Sequence, residues 1–520
     1  MHDSTESKGS AKHSLVIMIC TLLSRLLGIV KARVLGSIFG AGAVADVINF
    51  TFNIPNNFRK LFAEGAVNSA LIPAFSTLIA LDDKKRSVKL FSLLCTYQTL
   101  LLIPLVLVSY VYAEPLIRFL SDFDTPQVEL GARLLPFFMV YLATISLAAT
   151  FNGVLQSHAS FLHAYLSPLL FSLAVIFGVT FLSDGLGPMS MAYSVLAGGL
   201  LQGSYSYVMV RRYGYRLKVA LKADDTPFRP VVKAWSLVTL GMGIQIVTQM
   251  VSFLFASSLE KGSVTAFANA TIFYQTPYGI FFNAISAVSL PLMSRAYALK
   301  QQEKLTHYTR TSLVNLTTLL LPSTIILFFL SQESVSVVLQ TGKFTLEDAM
   351  LTAYVLRPYL LFMLTAAWYG MFLRLGYSAN RHSLMTRITI AQNVLDIALM
   401  YLFISLGWGI ISLPLANGIS YLAALLIACI VLRDLYQVHS DRLLYKELMR
   451  LLFANLPILA AGLLYAKADL RWYHQGSTLI SFLLLVGFGL GACLIVLISY
   501  HVARIPLLAL LRSKKQQRDL

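Results

Sequence analysis

The chain has 520 residues, 57% of them hydrophobic and 12% charged, with a mean hydropathy of +0.71. That balance excludes a soluble multidomain protein, and apolar runs of about 20 residues, in place of alternating segments of about 10, exclude an outer-membrane barrel. The formal net charge of +17 raises nucleic-acid binding as a reading, and only the placement of the basic residues can decide it.

The apolar runs predict an all-α polytopic membrane protein with 14 transmembrane helices: 14–34, 44–66, 90–112, 132–154, 161–182, 188–209, 234–256, 264–293, 311–330, 349–372, 386–405, 410–432, 450–466 and 478–502. The first six form an N-terminal lobe (14–209) and the next six a C-terminal lobe (234–432), joined by a basic linker at 210–233. Two extra helices lie within 433–502, between a polar tail at 1–13 expected to lack structure and a basic tail at 503–520. Counted with the span ends, 29 of the 41 Lys and Arg fall on the side of the N-terminus and six on the other; Arg25, Lys31, Arg33, Arg59, Lys60 and Arg357 fall within spans. The positive-inside rule then puts both termini in the cytoplasm, so the charge reports topology and no nucleic-acid partner is expected. Lys8 and Lys12 precede an apolar run as in a signal peptide, but Arg25 interrupts that run and the first helix reads as retained. Cys20, Cys95, Cys429 and Cys493 all sit in apolar spans without metal-ligand spacing and read as packing residues.

The first two spans hold charge that lipid would penalise. Arg25 lies about 16 Å up the first helix, and a charged side chain at that depth costs roughly 3 kcal/mol on insertion scales, so Arg25, Lys31, Arg59 and Lys60 together would cost about 10 kcal/mol or more facing lipid. They have to face protein or a wet cavity; Arg33, nearer the far end, snorkels to the interface. Pro55 and Pro73 break or kink the second apolar stretch, and its latter part lies along or below the interface. Glu64 stands four residues after Lys60, so an intrahelical pair is available, while Arg59 has no local partner. Asp82-Asp83-Lys84-Lys85-Arg86 reads as a solvated loop. The linker residues Arg211, Arg212, Arg216, Lys218, Lys222, Arg229 and Lys233 suit contact with anionic lipid head groups.

A short internal repeat relates Phe52-Asn53-Ile54-Pro55 and the following Leu71-Ile72-Pro73 to Phe273-Tyr274-Gln275-Thr276-Pro277 and Leu290-Pro291. The second copy lacks the charges of the first, which makes the basic wall of any central cavity the N-terminal one. In the C-terminal lobe, Asp396 is deep enough to need a partner. With Gln392 and Asn393 it forms a candidate cation site of oxygen ligands; a structural hydrogen bond to a neighbouring helix, or pairing with Arg357, are the other readings. No catalytic constellation, firm metal set, cofactor motif or nucleotide-binding loop appears, so the chain does not read as an enzyme and any work would draw on a sodium or proton gradient or the membrane potential.

Ser24-Arg25-Leu26-Leu27-Gly28, Phe39-Gly40-Ala41-Gly42, Asp46, Pro55-Asn56 with Arg59-Lys60-Leu61-Phe62-Ala63-Glu64-Gly65-Ala66, Asn152-Gly153, Gly342-Lys343-Phe344-Thr345 and Gly376-Tyr377-Ser378 resemble the bacterial MurJ (MviN) family of lipid II flippases, within the multidrug, oligosaccharidyl-lipid and polysaccharide exporter superfamily. The resemblance covers most of residues 20–430. It implies a multi-pass protein of the bacterial cytoplasmic (inner) membrane that moves lipid II, the undecaprenyl-diphosphate-linked peptidoglycan precursor, from the inner to the outer leaflet by alternating access. Arg25, Lys31 and Arg59 would engage the diphosphate, with Lys60, Asn56 and Thr265 beside them and Asp46 and Glu64 at acidic motif positions; the last two helices would form a groove for the lipid tail. A monomer is expected, with anionic lipids and the cell-wall synthesis machinery as further partners. The alternative is a related exporter of another polyprenyl-linked polysaccharide or of drugs, and a basic cavity argues against cationic drugs. Three positions depart from the family pattern: Lys31-Ala32 replaces Arg followed by an acid, Asn53 replaces a basic residue, and Ala270-Thr271-Ile272 replaces Ala-Asp-Arg. The C-terminal lobe therefore brings less charge to the ligand than the pattern implies.

Overall fold

The computed structural model describes residues 2–61, 71–224, 226–468 and 478–505, and among these it is helical with no strand. Packing divides the chain into one unit running to Thr265 together with Thr341–Phe344, and a second comprising Ala266–Gln340 and the chain from Thr345.

The first unit contains α1 (His2–Phe39), α2 (Ala43–Arg59), α3 (Ile72–Ala80), α4 (Lys84–Val111), α5 (Ala113–Leu120), α6 (Thr125–Ser157), α7 (Phe161–Leu186), α8 (Met189–Arg211) and α9 (Phe228–Ser257). Helix α1 begins at His2, so a helical backbone stands where an unstructured tail over 2–13 is expected; Ala, Lys and Glu in that stretch are good helix formers. Helix α9, expected to open the second lobe, packs within the first unit. Its Gln249 accepts from Lys60, its Trp235 indole donates to the Leu61 carbonyl, and its Phe253 ring meets Phe50 edge-on at 6.5 Å. Asp83, expected to be merely solvated, caps α4 by accepting from the Arg86 N–H at 3.0 Å, and Asp124 with Gln127 forms a capping box on α6. Glycines set the close approach of α7 and α8: a Cβ on Gly178 would lie 2.3 Å from the Ser194 hydroxyl, and one on Gly198 2.9 Å from the Phe171 ring. Small residues at helix contacts are how apolar spans approach when lipid offers no hydrophobic drive.

Two of the glycine motifs, about 300 residues apart in sequence, pack on each other. The Lys343 N–H donates to the Ser37 carbonyl at 2.8 Å, and Phe344 lies against Gly36. Gly342 has φ +56° and a Cβ there would stand 2.3 Å from the Ser37 oxygen; Gly40, at φ +72°, faces the Lys343 carbonyl. A side chain at either position would meet both backbone strain and collision.

The second unit contains α10 (Ser263–Ala298, its first turn counted with the first unit), α11 (Gln302–Phe329), α12 (Ser331–Leu339), α13 (Leu346–Leu361), α14 (Met363–Ser378), α15 (His382–Ser405), α16 (Ser412–Val431), α17 (Arg442–Ala468) and α18 (Thr478–Val502). Helices α13 and α14 meet at a 45° bend, just after Pro358 removes a backbone donor. Pro277 and Pro291 lie inside one continuous α10, while Pro73 stands in the first turn of α3. At the helix ends Arg381 forms a forked pair with Asp434, whose carboxyl it holds below the usual carboxylate range. Arg310 likewise pairs with Asp441 at 2.7 Å. Among the described residues, eight helices are long and apolar enough to cross a membrane, and nine if the bent pair is one crossing. The chain is thus an all-helical polytopic membrane protein.

Candidate functional site

The candidate ligand-binding cations of the first unit stand on α1 and α2. The Lys31 ammonium lies 5.6 Å from the Phe52 ring centroid and 5.7 Å from that of Phe171, so two π faces replace part of its hydration. Arg59 is close enough for its charge to act on Lys31, and Arg25 is half-buried on α1. Arg59, expected to have no local partner, donates its Nε to the Asn56 side-chain oxygen at 3.1 Å; the i to i+3 spacing of a helix brings the two together. Lys60 donates to Asn57 Oδ1 at 3.2 Å and to Gln249 Oε1 at 2.7 Å, and Asn57 in turn donates to Asn53 at 2.9 Å. Glu64, the expected partner of Lys60, lies outside the described residues. Amide oxygens accept from a cation without carrying charge of their own, so this ladder fixes the orientation of both side chains.

Asp46 and Thr265 are engaged with each other. The Asp46 carboxylate, only 2% exposed, accepts from the Gly262 N–H at 2.6 Å, from the Thr265 N–H at 2.8 Å and from the Thr265 hydroxyl at 2.7 Å. Asn49 adds a bond to the same hydroxyl at 3.1 Å. These donors belong to the N-cap and third residues of α10, so Asp46 does the work of a capping side chain from a different helix, with its negative charge at the positive end of the dipole. That geometry gives Asp46 and Thr265 an anchoring role at the start of α10.

In the second unit, Asp396 is 1% exposed; Asn417 donates to its Oδ2 at 2.8 Å, and its Oδ1 has no hydrogen-bond partner. Gln392 donates to Ser420 at 2.9 Å, and its own oxygen accepts from Asn393 at 3.0 Å. The α15 face carrying Gln392 and Asp396 therefore docks on the α16 face carrying Asn417 and Ser420, which is the structural hydrogen-bonding reading of Asp396, with one carboxylate oxygen left over. Arg357 donates to the Ser331 hydroxyl at 3.0 Å and is not the partner of Asp396. No group of three or more His, Cys, Asp or Glu suited to a metal occurs among the described residues.

The residue that sequence reasoning missed is Arg374. The span predicted over 349–372 stops short of it, yet it lies within α14, half-buried, with its guanidinium 4.6 Å from the Phe282 ring centroid and its Nε donating to Ser286. The signal was present: Met371, Phe372, Leu373 and Leu375 continue the apolar run around it. Phe282 ends a ladder on α10 in which Tyr274 stacks on Tyr278 at 5.7 Å and Tyr278 on Phe282 at 5.1 Å. The second unit also holds an apolar groove of about 550 Å³ between α11, α17 and α18, lined by Phe329, Ile458, Gly462, Leu484, Phe488 and Ala492 among others. Tyr465 contributes its ring to this groove and its hydroxyl to the buried Glu333 at 2.8 Å.

Residues 35–487 match the family model described as "Lipid II flippase MurJ". A "Probable lipid II flippase MurJ" of Borreliella burgdorferi is 28% identical over 490 residues, covering 94% of this chain and 96% of the relative. That of Bdellovibrio bacteriovorus is 28% identical over 462 residues, covering 86% and 85%. Among solved structures, a lipid II flippase MurJ in an inward closed conformation superposes with a TM-score of 0.76 at 22% identity, covering 94% of this chain and 98% of that one. An inward-facing multidrug resistance MATE transporter of the MOP superfamily gives 0.67 at 14%, covering 81% and 97%. A family model spanning most of the sequence makes this chain a member of the MurJ lipid II flippase family.

Proposed function

We propose that this protein is a flippase that carries lipid II from the inner to the outer leaflet of the bacterial cytoplasmic membrane by alternating access. The observation that carries the reading is the Lys31 ammonium held between the Phe52 and Phe171 rings inside an apolar helix of a chain of this family. Cations set at that depth need an anionic ligand that lives in the membrane, and a polyprenyl diphosphate is one. Arg25, Lys31, Arg59 and Lys60 contact the diphosphate, oriented by Asn56 and Asn57. The groove between α11, α17 and α18 takes the isoprenoid tail. The chain crosses the membrane fourteen times with both termini in the cytoplasm and works as a monomer without a cofactor. The unpartnered Asp396 oxygen supports this carboxylate as the ion-responsive group when transport is coupled to sodium, protons or the membrane potential.

Depletion from the host should accumulate lipid II in the inner leaflet, and Arg59→Ala or Lys31→Met should fail to restore growth. In proteoliposomes, the same variants should stop exposure of a fluorescent lipid II at the outer leaflet. Normal translocation after depletion would overturn the function; full complementation by both variants would overturn the site.

A further inference from the structure

Beyond the transported substrate, the first unit holds a second apolar cavity whose surroundings select a ligand. It has a volume of about 330 Å³ and lies between α4, α6 and α9, lined by Leu94, Leu101, Phe228, Val231, Val232 and Trp235 among others. Leu101 is 44% exposed, so the cavity wall reaches the molecular surface. Phe228, Val231, Val232 and Trp235 fall in the first turns of α9, where the basic linker runs into the helix, and Tyr97 closes that end, its ring 4.8 Å from Phe228.

The linker is laid against α4 by its own backbone. Tyr97 donates to the Leu221 carbonyl at 3.0 Å, the Ala220 N–H donates to Thr96 at 3.1 Å, and Lys89 donates to the Asp224 carbonyl at 2.8 Å. The segment held in this way exposes Leu217 (47%), Val219 (85%) and Leu221 (58%), interleaved with exposed Lys218 and Lys222. Exposed Arg229 and Lys233 follow, one helical turn apart on α9. Residues 210–233 carry seven basic side chains against two acidic ones. Apolar and basic side chains alternating on a pinned segment suit the boundary between acyl chains and anionic head groups, where each half of the pattern finds its own partner.

We propose that this cavity binds one acyl chain of an anionic phospholipid whose phosphate head group is held by Lys218, Lys222, Arg229 and Lys233. The phospholipid fastens the linker and the start of α9 to the membrane surface, and it does so whatever substrate the protein transports.

The test uses the full-length protein in phosphatidylcholine nanodiscs doped with phosphatidylglycerol or phosphatidylcholine carrying a photoreactive group on one acyl chain. The phosphatidylglycerol probe should label peptides spanning residues 94–101 and 228–235 well above the phosphatidylcholine probe. Lys218→Gln and Lys222→Gln should each cut that preference by roughly fivefold. Leu101→Trp, and Leu101→Phe as a milder filling, should abolish labelling there while leaving labelling of other lipid-facing helices unchanged. Inorganic phosphate should not compete. Equal labelling by the two probes would identify ordinary surrounding lipid and overturn the proposal. Labelling that survives both the filling and the charge substitutions would overturn it too, and competition by inorganic phosphate would reassign the basic cluster to a soluble anion. Because the readout needs no transport, its outcome is independent of the flippase assignment.

Discussion

Helix α2 carries Pro55 and helix α10 carries Pro277 and Pro291 within otherwise apolar stretches, and a short sequence pattern relates the two. Their chemistry differs throughout. Helix α2 ends at Arg59 with Lys60 as its C-cap, and side-chain amides from Asn56, Asn57 and Gln249 brace the two. Helix α10 brings no cation of its own to its middle; Tyr274, Tyr278 and Phe282 form an aromatic ladder there, and the guanidinium over it comes from Arg374 on α14. The difference teaches that one helix position can present positive charge in two ways. In the first the helix carries the charge and borrows neutral acceptors; in the second it carries π faces and borrows the charge.

Substitutions that exchange the two strategies should separate them, and the largest effect should come from charge removal in the first unit. Arg59→Ala should weaken binding of a short-chain polyprenyl diphosphate by tenfold or more, since hydrogen bonds to charged groups contribute about 1.5–3 kcal/mol. Arg374→Ala should have the smaller effect in the same titration, and the reverse order would invert the comparison. Asp46→Ala should act on stability instead, because it strands two N–H groups and a hydroxyl in a buried place. A loss of about 3 kcal/mol is expected in denaturation of the detergent-solubilised protein, with Asp46→Asn milder. Unchanged stability with lost ligand binding would return Asp46 to the binding site. Phe282→Leu, which breaks the ladder and removes the π face under Arg374, should cost about 1 kcal/mol, read by the same unfolding assay.

The smallest effect concerns pH. Arg381 depresses the Asp434 carboxyl, so this pair contributes stability that is fully present above the unfolded carboxylate value near 3.9 and is lost as pH falls through the lower folded value. Both side chains are substantially exposed, and the contribution should stay below about 1 kcal/mol. Melting profiles of Asp434→Asn and the parent protein should therefore converge below pH 4 and differ slightly above it; a difference that grows on acidification would reject the assignment.

Much of the fold was legible because apolar runs of spanning length leave few alternatives. Every predicted span from 90 onward coincides with a described helix or, at 349–372, with the bent α13–α14 pair. The boundary between the two units was not legible. Hydropathy cannot say which neighbours α9 chooses, and Gln249, Trp235 and Phe253 choose the first unit. The candidate basic site was legible as an energetic anomaly: Arg25, Lys31, Arg59 and Lys60 fall in apolar stretches where lipid would penalise charge. Its bracing was not, because Phe171 and Gln249 are more than 100 residues away in sequence from the cations they meet.

Asp46 shows the same division most sharply. By itself the sequence determined a helical membrane protein and the presence of charges that need partners, since composition and periodicity depend only on which residues follow one another, and its motifs carried the family resemblance. Which partner each charge received was decided only in three dimensions. A carboxylate in an apolar helix reads equally as a ligand contact or as an anchor, and the nearby N–H groups of Gly262 and Thr265, more than 200 residues further on, make it the anchor of α10.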